Sequence, residues 1–319
     1  RRLLTSMERR SYCMAAGGGS VRCASALVLM SILLLPVSSA SYSHDLISTI
    51  NHDSDAFTQG LEIQDGRMFE STGLYGKSQL REISIADGSL LRHVDLPPTV
   101  FGEGLTIIED RILVLTWKSG IIMEFYRDNF TKIRDHELIG EGWGMCSFDD
   151  RVIVSNGTDR LAILDPSSLA TIGNLEVRGL GNYVWDLNEL ECNGDIILAN
   201  QWMTPFVHVI SSSDGTLLST MDFSDLPSGS SGDHNEVLNG LAWDKDRGGY
   251  WVTGKNWTKM HLVEIQVESN AANSITSAEG WNLSNLNYAE ALFLFLLLTS
   301  LVTFIVGFPS TLSTNEEED

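Results

Sequence analysis

Between residues 44 and 267 the apolar positions fall into short runs separated by Gly, Asp, Asn, Ser and Pro, without the three-and-four spacing of a helix. The runs recur. TQGLE at 58–62, GEGLT at 102–106, GWGMC at 142–146, LNELE at 187–191 and LNGLA at 238–242 align on Gln59, Glu103, Trp143, Asn188 and Asn239, at steps of 44, 40, 45 and 51 residues. A second run follows each and ends in a polar or aromatic cluster: RMFESTG, ILVLTWK, VIVSNG, IILANQW and YWVTGKNW. A third alternates: QLREISI, IIMEFY, RLAILD, FVHVIS and HLVEI. The first four repeats add a fourth: LLRHVDL, TKIRDHEL, ATIGNLEV and LLSTMDF. Alternation at period two marks half-buried strands, and the intervening turn residues mark hairpins. Four short antiparallel strands per repeat make a propeller blade, so the pattern predicts an all-β, five-bladed β-propeller over 44–267. The fifth repeat has three strands and stops at Gln266. Residues 46–50 are predicted to supply its outer strand and close the ring, which removes an open sheet edge. A β-sandwich with an accidental period is the competing architecture.

The flanking segments read differently. Arg9, Arg10 and Arg22 precede an apolar run from Ala24 to Leu35, then Pro36 and the small residues Ser38, Ser39 and Ala40. That order predicts a secretory leader over 1–40, too short in its apolar part to span a membrane comfortably. Residues 268–288 are expected to form a polar linker and 289–308 a candidate transmembrane segment, followed by an acidic tail at 309–319. Such a span would make the chain a type I membrane protein, although the tail lacks the Lys and Arg expected on the cytoplasmic side. Sequons at Asn129, Asn156, Asn256 and Asn282 agree with a secretory route.

The formal charge is −21, and residues 1–40 carry five Arg against one Glu, so the remainder is more acidic still. Such a field repels a phosphate backbone and excludes nucleic acid as the expected partner. It suits a cationic ligand, and a free peptide N-terminus is one. Cys13 and Cys23 fall in the expected leader, leaving Cys146 and Cys192. These could pair in an oxidising compartment; two buried free thiols is the reading adopted.

In a propeller the aligned residues at the start of each innermost strand converge on one mouth of the central channel. Here they are Gln59, Glu103, Trp143, Asn188 and Asn239, with Trp117, Trp202, Lys255 and Trp257 at the ends of the second strands. Each also has a plainer reading: tryptophans pack between blades, Glu103 caps channel amides, and Lys255 is a solvated loop charge. Their clustering on one predicted face favours a small-ligand site. Three functions stay open on these residues: a metal-dependent hydrolase of the lactonase kind, a metal-free acyl-transfer enzyme, and a non-catalytic peptide-binding propeller. Hard cations need several carboxylate oxygens and zinc favours His. The ring offers Glu103 alone and no His, so metal catalysis fits less well.

FTQGLE (57–62), FESTGLYGKS (69–78), FGEGLT (101–106), LNELE (187–191), LNGLAWD (238–244) and VTGKNW (252–257) resemble, in order and spacing, the motifs of the plant and bacterial glutaminyl cyclotransferases. The resemblance covers about residues 51–264 and implies an enzyme that closes an N-terminal glutamine of a peptide or protein into pyroglutamate, without a cofactor. It also implies site roles. Glu103 matches the proton-transfer carboxylate, and Lys255 and Asn188 match polar residues at the substrate. Phe57, Gln59 and Phe101 match pocket-lining residues, and Trp117, Trp143 and Trp202 match the aromatic walls. GEGWG at 140–144 departs from the commoner Asp-Gly-Trp-Gly, and beyond Gln266 the resemblance ends.

Overall fold

The burial of each strand follows its place in the repeat. In the first repeat Thr58–Gln64 is buried over its first four residues and half-buried after them, Arg67–Thr72 and Gln79–Ile83 are buried after their first residue, and Leu90–Asp95 alternates between exposed and half-buried. In the computed structural model these four strands form one antiparallel sheet in that order. The structure describes residues 40–179, 182–229 and 231–269. Within them the same arrangement repeats. The second sheet runs Gly102–Ile108, Arg111–Thr116, Ile121–Tyr126 and Lys132–Glu137. The third runs Met145–Phe148, Arg151–Val154, Arg160–Leu164 and Thr171–Glu176, and the fourth Leu187–Asn193, Ile196–Gln201, Phe206–Ser211 and Leu217–Asp222. The innermost strands meet their neighbours in cyclic order, first to second and on to fifth and back to first, which is a five-bladed propeller.

The fifth blade holds Leu238–Asp244, Gly249–Gly254 and Lys259–Ser269, and its outer strand is Ala40–Asn51 from the other end of the domain. That strand pairs antiparallel with Lys259–Ser269 from Ala40 opposite Ser269 to Asn51 opposite Lys259, with a bulge between Leu46 and Ser48. The closure predicted from the three-strand fifth repeat is present, and both strands run a few residues past the expected limits of 44 and 267. The rest of the expected leader, the linker from 270, the candidate span at 289–308 and the acidic tail lie outside the described residues. Among the described residues no helix is long and apolar enough to cross a membrane.

Five apolar clusters fill the five seams between blades. Phe69, Leu105 and Ile112 lie between the first and second, Leu113, Met145 and Val152 between the second and third, and Ile153, Leu190 and Ile197 between the third and fourth. Val207, Leu241 and Val252 join the fourth to the fifth, and Leu61, Met68, Trp251 and Met260 join the fifth back to the first. Each wholly buried side chain of this size contributes roughly 1.5–3 kcal/mol.

A polar network reinforces the last seam. His52 Nε2 lies 2.9 Å from Glu70 Oε1, its Nδ1 lies 2.9 Å from Trp257 O, and Arg81 reaches both Glu70 at 3.5 Å and Asp53 at 2.6 Å. Burial works against a charged His52, yet the Glu70 carboxylate outweighs it and raises the His52 pKa. Burial likewise opposes ionised Glu70, and His52 and Arg81 overcome it, holding that carboxyl below its usual range.

Cys146 and Cys192 are joined in a disulfide, with Cα atoms 5.4 Å apart. This corrects the free-thiol expectation. The two residues sit on the innermost strands of adjacent blades, where the propeller brings aligned positions face to face.

Candidate functional site

Four of the five innermost strands slip register at the aligned residue, between Thr58 and Gly60, Gly102 and Leu105, Leu187 and Leu190, and Leu238 and Leu241. A bulge adds a residue to one strand and re-aims its side chain. Here the bulged residues are Gln59, Glu103, Asn188 and Asn239, at the channel mouth. In three blades a polar residue at the end of the second strand stitches the bulge of the next blade. Ser71 Oγ donates to Glu103 O at 2.5 Å, Ser155 Oγ donates to Asn188 O at 2.6 Å, and Asn200 Oδ1 accepts Gly240 N–H at 3.3 Å. Glycine follows the aligned residue where blades come closest: a Cβ on Gly104 would stand 2.7 Å from Gly144 Cα.

The mouth opens into a cavity of about 420 Å³. The nine residues given roles by the resemblance all line it: Glu103, Lys255, Asn188, Phe57, Gln59, Phe101, Trp117, Trp143 and Trp202. Phe57 and Phe101 meet edge to face at 6.2 Å, Phe101 and Trp117 at 5.6 Å, and Trp143 and Trp202 at 5.6 Å between ring centroids. Two turns with left-handed residues deliver flanking groups. Met203, after Trp202, has φ 64°, and Asn256, after Lys255, has φ 58°.

Glu103 and Lys255 are both buried, at 6% and 5% exposure, in this mainly aromatic enclosure. Burial pushes the Glu103 carboxyl well above the usual carboxylate range, Lys255 pulls it partly back, and Glu141 adds to the rise. Burial likewise lowers the Lys255 pKa, and Glu103 opposes that shift. Lys255 Nζ lies 5.1 Å from the Phe57 ring centroid, a cation over an aromatic face. Asn188 is buried, and its Oδ1 has no hydrogen-bond partner among the described residues. An acceptor left open on a cavity wall is available to a ligand donor.

Two aligned or nearby residues do not reach the cavity. Asn239 turns its Nδ2 to Thr58 O at 3.0 Å and Gln59 Oε1 at 3.4 Å, so it holds Gln59 in place from behind. Trp257 donates to Glu236 O at 3.1 Å and lines a separate cleft of about 250 Å³. Leu74, Lys118, Glu141, Met203 and Asn235 also line the main cavity and were not found from the sequence. They come from turns whose length varies between blades, so no repeat position marks them; Glu141 alone stood out, as a departure from a motif.

Further along the innermost strands, Glu62 accepts Ile107 N–H at 3.0 Å and Glu189 accepts Leu61 N–H at 3.4 Å. Burial raises the pKa of both, Glu62 to about 8, and the neighbouring carboxyl of Glu191 adds to the effect on Glu189. Among the described residues no group of three or more His, Cys, Asp or Glu is disposed to hold a metal ion.

A propeller whose channel mouth encloses a buried carboxyl, a buried ammonium and aromatic walls belongs to the class with a small-ligand pocket suited to proton transfer. Comparison with known proteins is specific. The family model for glutamine cyclotransferase matches residues 22–265, and the chain belongs to that family. A glutaminyl-peptide cyclotransferase of Arabidopsis thaliana is 34% identical over 230 residues, covering 70% of this chain and 72% of the relative. The crystal structure of Myxococcus xanthus glutaminyl cyclase matches with a TM-score of 0.68 and 30% identity, over 72% of this chain and 99% of that one.

Proposed function

We propose that this chain is a glutaminyl-peptide cyclotransferase, an acyltransferase that converts the N-terminal glutamine of peptides and proteins to pyroglutamate with release of ammonia. The observation that carries the reading is the Glu103–Lys255 pair, buried together in an aromatic cavity on which all nine expected residues meet. Nucleophile and electrophile belong to the same substrate residue. The α-amine attacks the γ-carboxamide carbon, a tetrahedral centre forms, and the C–N bond to the amide nitrogen breaks. The protein therefore has to fold the side chain and move protons. Glu103, with its pKa raised by burial, takes the proton lost by the amine and returns it to the departing nitrogen, which leaves as ammonia. Asn188 Oδ1 accepts an N–H of the substrate, and Lys255 stabilises the oxygen that gains negative charge. Phe57, Gln59, Phe101 and the three tryptophans close around the folded side chain.

The test is ammonia release from a Gln-initiated dipeptide, with and without a chelator. Release that survives chelation supports this reading. Chelator-sensitive hydrolysis of a lactone, or binding without turnover, would replace it with one of the two alternatives.

We infer further that the chain follows the secretory route. The Cys146–Cys192 disulfide persists in oxidising compartments, and the sequon residues Asn129 and Asn156 are exposed. Asn256 is less suited to carry a glycan, because its Nδ2 donates to Ser54 O at 2.7 Å. The uncharged run at 291–308 favours a membrane tether beyond the propeller. Glycosidase shifts that depend on Asn129 and Asn156, and resistance to carbonate extraction, are the corresponding checks.

A further inference from the structure

Between the outer strand of the second blade and the inner strand of the third, the chain crosses the rim of the cavity at residues 140–142. Gly140, with φ 93°, makes a turn that a residue with a Cβ rarely adopts, and Glu141 reaches the cavity lining. One oxygen of its carboxylate, Oε2, accepts two indole N–H groups, from Trp117 at 2.9 Å and from Trp143 at 3.1 Å. The other oxygen lies 3.6 Å from Lys118 Nζ, and that ammonium sits 3.9 Å from the Trp117 ring centroid. The two indoles come from different blades. Trp117 packs edge to face on Phe101, and Trp143 packs edge to face on Trp202. Glu141 is thus the link between two aromatic pairs that surround the same space.

We propose that Glu141 is a positioning residue for cyclisation, joining the aromatic walls of two blades into one surface against which the glutamine side chain is folded. The proposal rests on the reading of this chain as a cyclotransferase. Ring closure requires the γ-carboxamide to bend back onto the α-amine, and a wall that swings aside leaves room for the extended side chain. Two charge-assisted hydrogen bonds on one oxygen remove that freedom before substrate arrives. The same carboxylate acts electrostatically on Glu103. There it adds to the effect of burial and opposes that of Lys255, so it favours the protonated form of the proton carrier.

Two substitutions separate these contributions. Glu141→Gln keeps an oxygen that can accept both indole N–H groups but removes the charge. Glu141→Ala removes both. With a Gln-initiated dipeptide, Glu141→Ala is expected to raise KM by about tenfold. Glu141→Gln should recover most of that loss. In both variants the limb of the pH–rate profile set by Glu103 should move to lower pH. Acrylamide quenching of tryptophan fluorescence, measured without substrate, should increase in Glu141→Ala and stay near wild type in Glu141→Gln. A folded Glu141→Ala protein with wild-type KM, or with unchanged quenching, overturns the proposal. If the wild-type protein itself releases no ammonia, the cyclotransferase reading fails. The quenching measurement then still decides whether Glu141 holds the two walls.

Discussion

Replacing Glu103 by Gln leaves the outline of the cavity unchanged and removes one capability. The side chain keeps its length and its bulged backbone, still tied by Ser71 Oγ to the Glu103 carbonyl. The aromatic walls, Gln59 and Asn188 remain to hold the substrate. An amide cannot carry a proton from the attacking amine to the leaving nitrogen. Loss of one positioned acid–base group lowers turnover by about 10²–10⁴, equivalent to roughly 3–5 kcal/mol on the barrier. KM should change little. The stability side has a definite sign. Burial holds the folded-state pKa of Glu103 above its unfolded value. Its contribution is therefore complete below the ordinary carboxylate range and is lost as pH rises through the raised value. Glu103→Gln has no such loss, so its melting temperature should gain on the wild type as pH rises. The assay is kcat from ammonia release and melting temperature on one preparation, at several pH values. A folded variant with near-normal kcat would refute the proton-carrier assignment, and lost stability at every pH with activity retained would show that Glu103 only caps the channel.

Three further outcomes are expected. Deleting residues 46–50 breaks the outer strand of the fifth blade in its middle and uncovers Met260–Val263, so soluble protein should be lost; a protein starting at Asn51 with an unchanged melting profile would contradict the closure. Reducing the Cys146–Cys192 bond, which spans 46 residues, should cost about 4 kcal/mol by loop-closure entropy. A denaturation midpoint that ignores reductant would show that the bond adds nothing. Glu62 has its pKa raised to about 8, so its contribution to stability declines as pH rises towards that value. Glu62→Gln should flatten the fall in stability between about pH 5 and pH 8, and an unaltered slope in urea titrations would place the titration elsewhere.

The architecture was legible because a blade is a repeated solution to one packing problem. Gln59, Glu103, Trp143 and Asn188 could be aligned, since each starts or precedes an innermost strand, and alignment alone brought them to one mouth. The same logic put Asn239 at the mouth without showing that its amide serves the backbone of the neighbouring blade, because repetition locates a residue without saying which way its hydrogen bonds point. Trp257 follows its second strand as aligned, but its indole donates to Glu236 O and lines the neighbouring cleft instead. Glu141 lay in an inter-blade turn, off the repeat, where only a three-dimensional meeting of two indoles reveals its part. The disulfide leaves a trace in the repeat: Cys146 and Cys192 follow their aligned residues by three and four positions, on adjacent innermost strands.

The seam of the ring has a mechanical consequence. Ala40 lies opposite Ser269 and Asn51 opposite Lys259, so the strands leave the domain side by side at the Ala40–Ser269 end. Tension drawn through both strands would peel them apart like a zipper, loading the ladder one rung at a time instead of shearing it all together. The peel reaches Asn51 and then meets His52, whose N–H donates to Thr258 O at 2.9 Å and whose ring is pinned in the buried cluster with Glu70 and Arg81. Up to that residue the outer strand gives up its ladder one pair at a time, together with the contacts of His44 to Phe223 and Asp225 and of Thr49 to His261, while the inner strands of the ring stay paired. Beyond it, further opening must drag a paired charge out of the core. The ring is therefore expected to open in two stages, with the edge strand first and the buried cluster at His52 after it.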